Sequence, residues 1–214
     1  MSKNNRILPL MTGWITTRKA AILFCSFLIL CQTNSFSQVI TNTGAVVSVR
    51  GGTVIDARDI LNNAGSLSNS GTINLSGNYS NTGLTSGSTG TFRLGGNWTN
   101  NGVFAWGTST VIFNGSANQV ITRPGGETFN NLAVENSGIT GGNTIGLSHN
   151  VTVMNTLSIS RGNINSGISK LYLFNPLPSA LNYTSSTGSR IIGKFERGVN
   201  QAATYLFPLG TTAN

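Results

Sequence analysis

Apolar residues alternate with polar ones over short stretches along most of the chain. In the segment Thr91-Phe92-Arg93-Leu94 the apolar side chains lie two positions apart, and glycines bound the segment. A period of two over four or five residues predicts a half-buried β-strand rather than a helix. No segment after residue 37 keeps apolar residues at helical spacing for a useful length, so the pattern predicts an all-β fold.

The strand pattern recurs every nineteen residues, and three copies agree column by column. The two apolar columns are Ile73, Phe92 and Val111, and Leu75, Leu94 and Phe113. A unit of this length cannot bury its apolar face alone, whereas stacked units bury a continuous core. The sequence therefore predicts a parallel β-helix, taken as right-handed, with coils of roughly nineteen residues stacked about 4.8 Å apart.

Three further columns of the repeat are not apolar. The glycine column is expected to supply turns with positive φ, a conformation that other residues resist. Two asparagine columns are expected to stack their side-chain amides along the axis, as polar ladders do in other stacked strands. The columns are Gly77, Gly96 and Gly115; Asn78 and Asn97; and Asn81 and Asn100.

The repeat continues less strictly towards residue 175. Residues 131–134 and 150–153 again lie nineteen apart, while residues 122–130 predict a loop between a regular and an irregular half. At Pro176 and Pro178 the repeat is expected to stop. The predicted domains are therefore a signal peptide (1–37), a β-helix (38–175) and the start of a truncated second β-unit (176–214).

The second β-unit is expected to be incomplete. Residues 190–195 and 205–207 can pair with each other, but a two-stranded ribbon is marginal in water without a covering layer. The open end of a β-stack also presents unpaired backbone groups that favour association between edges. We therefore expect the chain to be the N-terminal part of a longer protein, to pack poorly over residues 176–214 in isolation, and to self-associate.

The first 37 residues have the features of an export signal. Four basic residues precede a twelve-residue apolar run, AAILFCSFLILC, and Ser35 and Ser37 flank Phe36 at the expected cleavage site. A membrane-spanning helix needs about 20 apolar residues, so cleavage is favoured over an uncleaved anchor. The mature chain would begin at Gln38, lie outside the cell or on its outer surface, and meet the membrane only during export.

Removal of the signal changes the composition in two ways. Both cysteines are lost with it, so a disulfide framework and a thiolate metal site are excluded for the mature chain. Nine basic and five acidic residues remain, which lowers the formal charge from +8 to +4. Because the basic residues are scattered from Arg50 to Arg197, no nucleic-acid partner is expected.

Three segments together resemble the repeat region of large secreted or surface proteins of gliding Gram-negative bacteria, which export through a type IX system. The segments are STVIFNGSANQVITRPGGETFNNLAVENSG, VTVMNTLSISRGNINSG and GKFERGVNQAATYLFPLG, and the resemblance covers roughly residues 60–214. It implies a parallel β-helix with further β-domains and a C-terminal sorting domain downstream. No such sorting domain is expected within residues 1–214.

Candidate chemistry is sparse. Asp56 and Asp59 are the closest pair of acids and are expected to cap the end of the coil stack rather than to act in catalysis. Glu127 and Glu135 form the better enzymatic pair, on the hypothesis that they lie on neighbouring coils. His149 is the only histidine, and without further ligands it is expected to occupy a turn. No catalytic residue, cofactor or metal is predicted.

Two classes of function remain. The first is a structural or adhesive scaffold without catalytic activity, which meets glycans or other cell-surface proteins. The second is a carbohydrate-binding or carbohydrate-active β-helix of the lyase or glycosidase kind, and such glycosidases need two carboxylates about 5 to 9.5 Å apart. The candidate glycan contacts are Tyr79, Trp98 and Trp106, provided that they face outward, although Tyr79 and Trp98 share a repeat column and are expected to fill the core.

Overall fold

The computed structural model of the chain describes residues 38–139 and 142–211. The predicted signal peptide and its cleavage site lie outside the described residues. Among the described residues, no helix is long and apolar enough to cross a membrane.

The described chain is a parallel β-helix of about eight coils. Every strand pairing is parallel, and each strand pairs with one from the coil before or after it. The strands of the first four coils are β1 (Ile40–Asn42), β2 (Val46–Val49), β3 (Val54–Ala57), β4 (Leu61–Asn63), β5 (Ser66–Asn69), β6 (Thr72–Leu75), β7 (Tyr79–Asn81), β8 (Leu84–Ser86), β9 (Thr91–Leu94), β10 (Trp98–Asn100), β11 (Val103–Ala105) and β12 (Thr110–Phe113). The predicted fold class is confirmed.

The remaining coils contain both short strands and strands of up to eleven residues. These are β13 (Gln119–Thr122), β14 (Glu127–Glu135), β15 (Thr144–Leu147), β16 (Val151–Arg161), β17 (Asn163–Leu173), β18 (Leu181–Tyr183), β19 (Ile191–Arg197) and β20 (Leu209–Gly210). Single turns of 3-10 helix at Pro178–Ala180 and Ser185–Thr187 flank β18.

Each coil has three faces. The first face contains β3, β6, β9, β12 and the C-terminal parts of β14 and β16, followed by β18. The second contains β1, β4, β7, β10, β13 and β15, followed by the start of β17 and of β19. The third contains β2, β5, β8 and β11, and the start of β14 and of β16 takes the corresponding position in later coils.

The core is the stack of side chains that point inward from alternate residues of each strand. In β9, Phe92 and Leu94 are fully buried, whereas Thr91 and Arg93 are partly exposed. Both predicted apolar columns are in register from β6 through β9 to β12, and all six members are buried. The period-2 prediction and the nineteen-residue coil are therefore confirmed for these copies.

The glycine column has a different physical cause from the expected one. None of its three members has a positive φ. Instead, a Cβ on Gly96 would lie 2.6 Å from the carbonyl carbon of Gly77 in the preceding coil. Glycine is needed here because consecutive coils approach too closely for a side chain, not because the turn is left-handed.

The coils lengthen after β12, and two predictions for this region are wrong. Residues 122–130 are not one loop: Gly125 and Gly126 make a turn with positive φ, and β14 begins at Glu127. Residues 131–134 pair with residues 156–159 rather than with residues 150–153. The extra residues between strands shift the register, so a fixed nineteen-residue spacing no longer aligns the coils.

The β-helix also continues beyond residue 175. Leu181 of β18 pairs with Leu157, and Ile191 of β19 pairs with Ile164. Leu181 and Ile191 are both buried in the same core as the earlier coils. The chain beyond Pro176 therefore adds to the stack instead of opening a second unit. Strand β19 pairs with β17 and β20 in parallel, which replaces the predicted pairing of residues 190–195 with residues 205–207.

Candidate functional site

A ladder of buried asparagines runs along the inside of the first four coils. Each member ends a strand of the second face, and each donates its side-chain N–H to the amide oxygen of the next: Asn42 to Asn63, Asn63 to Asn81, and Asn81 to Asn100, all at 2.9 Å. All four side chains are 7% exposed or less. The amide dipoles therefore point in one direction along the axis.

The local sequence explains why an asparagine fits each of these corners. Each ladder residue is followed two positions later by a glycine, and in the fourth coil the N–H of Gly102 donates to the Asn100 side-chain oxygen at 3.2 Å. Asn81 also donates to the carbonyl of Val103 in the next coil at 3.1 Å. The side chain thus satisfies the turn and joins two coils, because an amide can both donate and accept.

The two predicted asparagine columns differ in the structure. Stacking of Asn81 on Asn100 is confirmed by their side-chain hydrogen bond. On the outer surface, Asn78 accepts from the backbone N–H of Asn97 at 2.7 Å, and Asn97 accepts from the backbone N–H of Val120 at 2.9 Å. The outer column therefore joins side chain to backbone, with the side-chain oxygens accepting in these bonds.

The inner ladder ends on a carboxylate. Asn100 donates to Glu127 Oε2 at 2.8 Å, and the indole N–H of Trp98 donates to the same oxygen at 2.8 Å. The other oxygen, Oε1, accepts from the backbone N–H of Thr128 at 3.0 Å and from Arg123 at 3.3 Å. Glu127 is only 2% exposed, so its carboxylate is enclosed by four donors.

Burial dominates the electrostatics of this carboxylate. Loss of hydration raises the pKa of Glu127 above its ordinary value, while the hydrogen bonds from Trp98, Asn100 and Thr128 and the charge of Arg123 oppose that rise. The Arg123 side chain is 30% exposed, so water screens part of its charge. The arrangement can hold a negative charge inside the coil, but its oxygens are already occupied.

The aromatic residues around Glu127 are internal. The rings of Tyr79 and Trp98 stack with centroids 4.3 Å apart, and Phe104 and Phe129 contact Trp98 edge-on at 4.9 and 5.3 Å. Tyr79 and Trp98 have no exposed surface. Both rings face inward and fill the core. A sugar cannot stack on either of them without opening the coil, so Tyr79 and Trp98 do not meet the requirement for a glycan contact.

The third predicted glycan contact, Trp106, lies at the corner after β11. It is half-buried and packs against the same core, and its backbone carbonyl accepts from Ser109 Oγ at 2.7 Å. Trp106 thus does not form an exposed platform with Tyr79 and Trp98, because the other two point into the coil.

Glu127 and Glu135 are not brought together on neighbouring coils. They are the first and last residues of one strand, β14, and Glu127 points inward while Glu135 is half-exposed. Glu135 forms an ion pair with Arg93 at 3.4 Å on the outer surface. The hypothesis of a catalytic pair formed by these two acids is therefore wrong in its geometry.

Asp56 lines a shallow polar groove of about 630 Å³ on the first face, together with Asn74, Arg93, Asn114 and Ser137. Arg93 is held there by Glu135. Asp56 belongs to the first coil and Glu135 to the fifth. Four coil spacings of about 4.8 Å therefore separate the two residues by about 19 Å along the axis of the stack. This exceeds the roughly 5 to 9.5 Å that separates paired glycosidase carboxylates.

The other predicted candidates lie in turns. His149 occupies the bend between β15 and β16, as expected. Asp59 follows β3 and its backbone carbonyl accepts from the N–H of Gly77 at 2.9 Å. Within residues 38–139 and 142–211, no group of three or more histidine, cysteine or acidic side chains is arranged to hold a metal ion.

A pocket on the third face was not anticipated from the sequence. It measures about 310 Å³, and its lining includes Gly126, Thr128, Asn150, Thr152, Lys170 and Tyr172. We call it the Tyr172 pocket. In residues 170–174, Leu171 and Leu173 are fully buried, and the three residues between and beside them face outward. The burial of the two leucines reveals the pocket, and the sequence alone does not give it.

Comparison with known proteins found no match to this chain among protein-family models, curated proteins or solved structures.

Proposed function

We propose that the chain is a β-helical scaffold, exported to the cell surface or beyond, with a structural or adhesive role and no catalytic activity. The observation that carries this proposal is the hydrogen bonding of the Glu127 carboxylate. The most deeply buried acid of the described chain terminates an amide ladder and is surrounded by four donors. Its role is to join coils, and both of its oxygens accept hydrogen bonds from neighbouring residues.

The other acids support the same proposal. Glu135 and Glu196 are engaged by Arg93 and Lys170 on the outer surface, and Asp56 stands apart from Glu135 by about four coil spacings. A lyase or glycosidase needs charged groups that converge on one bond of the substrate. Apart from Asp56 and Asp59, which lie in and just after β3, the described acids are distributed singly along the stack.

The location is proposed from the N-terminal sequence. The basic start, the twelve-residue apolar run and the Ser-Phe-Ser segment before Gln38 have the order of a cleaved signal. The resemblance to type IX secretion-associated surface proteins is in keeping with this location.

Export and display are tested by producing the full chain with an epitope after Gly44, in an exposed turn, in a gliding Gram-negative host. We expect the N-terminal residue of the exported protein to be Gln38 and the epitope to be accessible to protease on intact cells. Leu28→Arg, within the apolar run, should keep the protein in the cytoplasm. An exported chain that begins at Met1, or an epitope that is protected on intact cells, contradicts the proposal.

A further inference from the structure

We propose that the Tyr172 pocket binds a neutral sugar unit of a glycan. This deepens the adhesive part of the proposed function and rests on it. The pocket volume of about 310 Å³ lies at the lower end of the roughly 300–1,000 Å³ typical of ligand pockets. Three features define its ligand: an outward aromatic ring, unoccupied hydroxyl groups, and a balanced charge.

The aromatic ring is presented by strand β17. Its two neighbours, Leu171 and Leu173, are fully buried, so Tyr172 points away from the core. Phe174, which is 51% exposed, meets the Tyr172 ring edge-on with centroids 6.0 Å apart and restricts its orientation. The negative face of an aromatic ring attracts weakly positive C–H groups, and the apolar face of a pyranose offers a flat set of these groups.

The hydroxyl groups lie beside the ring in adjacent coils. Thr128 pairs with Thr152, and Thr152 pairs with Tyr172, so the three side chains form one outward row. Within the part of the chain that the structure describes, the two threonine hydroxyls make no hydrogen bond. At about 4.8 Å per coil, the row is about 10 Å long and matches two sugar units of an extended glycan.

An amide completes the polar side of the pocket. The side-chain oxygen of Asn150 accepts from the backbone N–H of Lys170 at 2.9 Å, which fixes the amide and leaves its NH₂ group to donate. Sugar hydroxyls both donate and accept, and the threonine hydroxyls do the same. The pocket therefore provides both kinds of partner at its rim.

The charge of the pocket favours a neutral ligand over a uronate. Lys170 is the cation among the residues that line the pocket, and its ammonium lies 3.0 Å from Glu196 and 5.7 Å from the Tyr172 ring centre. Glu196 neutralises it and would repel an incoming carboxylate. A phosphate or uronate would have to break this ion pair, whereas a neutral sugar leaves it in place.

The test uses the purified protein in affinity electrophoresis through gels that contain laminarin or xyloglucan, two soluble neutral polymers, or polygalacturonate, an acidic one. We expect retardation by at least one neutral polymer. Tyr172→Ala should weaken that binding about tenfold, Thr152→Val by a few-fold, and Tyr172→Phe by less than about threefold, because the ring supplies most of the contact.

The matched control is Ile168→Ala, which changes a residue of the same strand that is 93% exposed but does not line the pocket. It should bind as the wild type does, and thermal melting should show that each variant is folded. Absence of retardation by both neutral polymers, retardation by polygalacturonate alone, or equal binding by Tyr172→Ala would overturn the inference. Because binding is measured on purified protein, the glycan-binding inference can fail while export and surface display are upheld, and the reverse also holds.

Discussion

The side-chain amide of Asn100 donates a 2.8 Å hydrogen bond to the carboxylate of Glu127, which lies 27 residues further along the chain. It is the last bond of a one-way ladder that begins at Asn42. A chain of amides that donate in one direction leaves a donor at its end. A carboxylate is the side chain best suited to receive it, because it accepts and does not donate.

The first prediction concerns the loss of this acceptor. Glu127→Ala leaves the indole N–H of Trp98 and the amide of Asn100 unpaired inside the coil, so the free energy of unfolding should fall by about 3 kcal/mol. Glu127→Gln keeps one accepting oxygen and should lose roughly half as much. Urea denaturation measures both values. Glu135→Ala is the control, because its surface ion pair is worth no more than about 1 kcal/mol; an equal loss there would contradict the buried role of Glu127.

The second prediction follows from the raised pKa of Glu127. Its folded-state pKa lies above the ordinary value of 4.5, so the folded protein binds this proton more tightly than the unfolded chain does. The associated stability is fully present below about pH 4.5 and is lost as the pH rises through the folded-state pKa. Relative to Glu127→Gln, the free energy of unfolding of the wild type should therefore decrease over this range. Denaturation at a series of pH values checks the slope, and an increase with pH would show that the carboxylate is stabilised more than burial penalises it.

The third prediction separates two roles of glycine. Gly96→Ala should cost about 1 to 3 kcal/mol, because the new Cβ meets the carbonyl carbon of Gly77 at 2.6 Å. At Gly146 the nearest atom to an added Cβ is 3.8 Å away and φ is not positive, so Gly146→Ala should be neutral or stabilise by up to about 1 kcal/mol. Melting temperatures of the two variants test the difference. If both alanines were tolerated, close approach of the coils would not explain the column.

The coils from β6 to β12 were predictable because their strands follow one another at a constant spacing of nineteen residues. When every coil contains nineteen residues, the columns of Leu94 and Asn100 can be aligned from the sequence alone. The position of Glu127 could not be found this way, because Ile121 stacks on Trp98 after 23 residues and the inserted residues hide the end of the ladder. The same lengthening concealed Ile191, which stacks on Ile164 after 27 residues.

The chemistry of the site was harder to predict than its fold. The repeat column shows that Tyr79 and Trp98 occupy equivalent positions. The inward and outward faces of a strand have the same period of two, so the burial seen in the structure decides that both residues lie in the core. Tyr172 has no equivalent aromatic residue in the other coils that would attract notice. Its outward direction follows only from the burial of Leu171 and Leu173.

The fourth prediction tests the alternation on β9. Leu94 is fully buried between Leu75 and Phe113, so Leu94→Ala should cost about 2 to 5 kcal/mol, and Leu94→Asp should prevent folding because it also buries a charge. Arg93 is the adjacent residue and its side chain is 41% exposed, so Arg93→Ser should cost no more than about 1 kcal/mol. Circular dichroism during thermal unfolding compares the three, and similar losses at positions 93 and 94 would rule out the alternation.

The last prediction uses one substitution at two asparagines with different hydrogen bonds. Asn81 donates to Asn100 and to the carbonyls of Gly83 and Val103, and it accepts from Asn63. In Asn81→Asp the carboxylate can accept but not donate, so it faces the oxygens of its former acceptors in a fully buried position. We expect a loss of about 3 kcal/mol or more.

Asn78 is the matched position, because it is exposed and its side-chain oxygen accepts from the backbone N–H of Asn97. A carboxylate makes the same bond, so Asn78→Asp should change the free energy of unfolding by less than about 1 kcal/mol. Urea denaturation of the two variants at neutral pH gives the comparison. If Asn81→Asp were as stable as Asn78→Asp, the one-way donation from Asn42 to Glu127 would not stabilise the coil. A large loss confined to position 81 is expected because a carboxylate is suited to the end of the ladder and not to its middle.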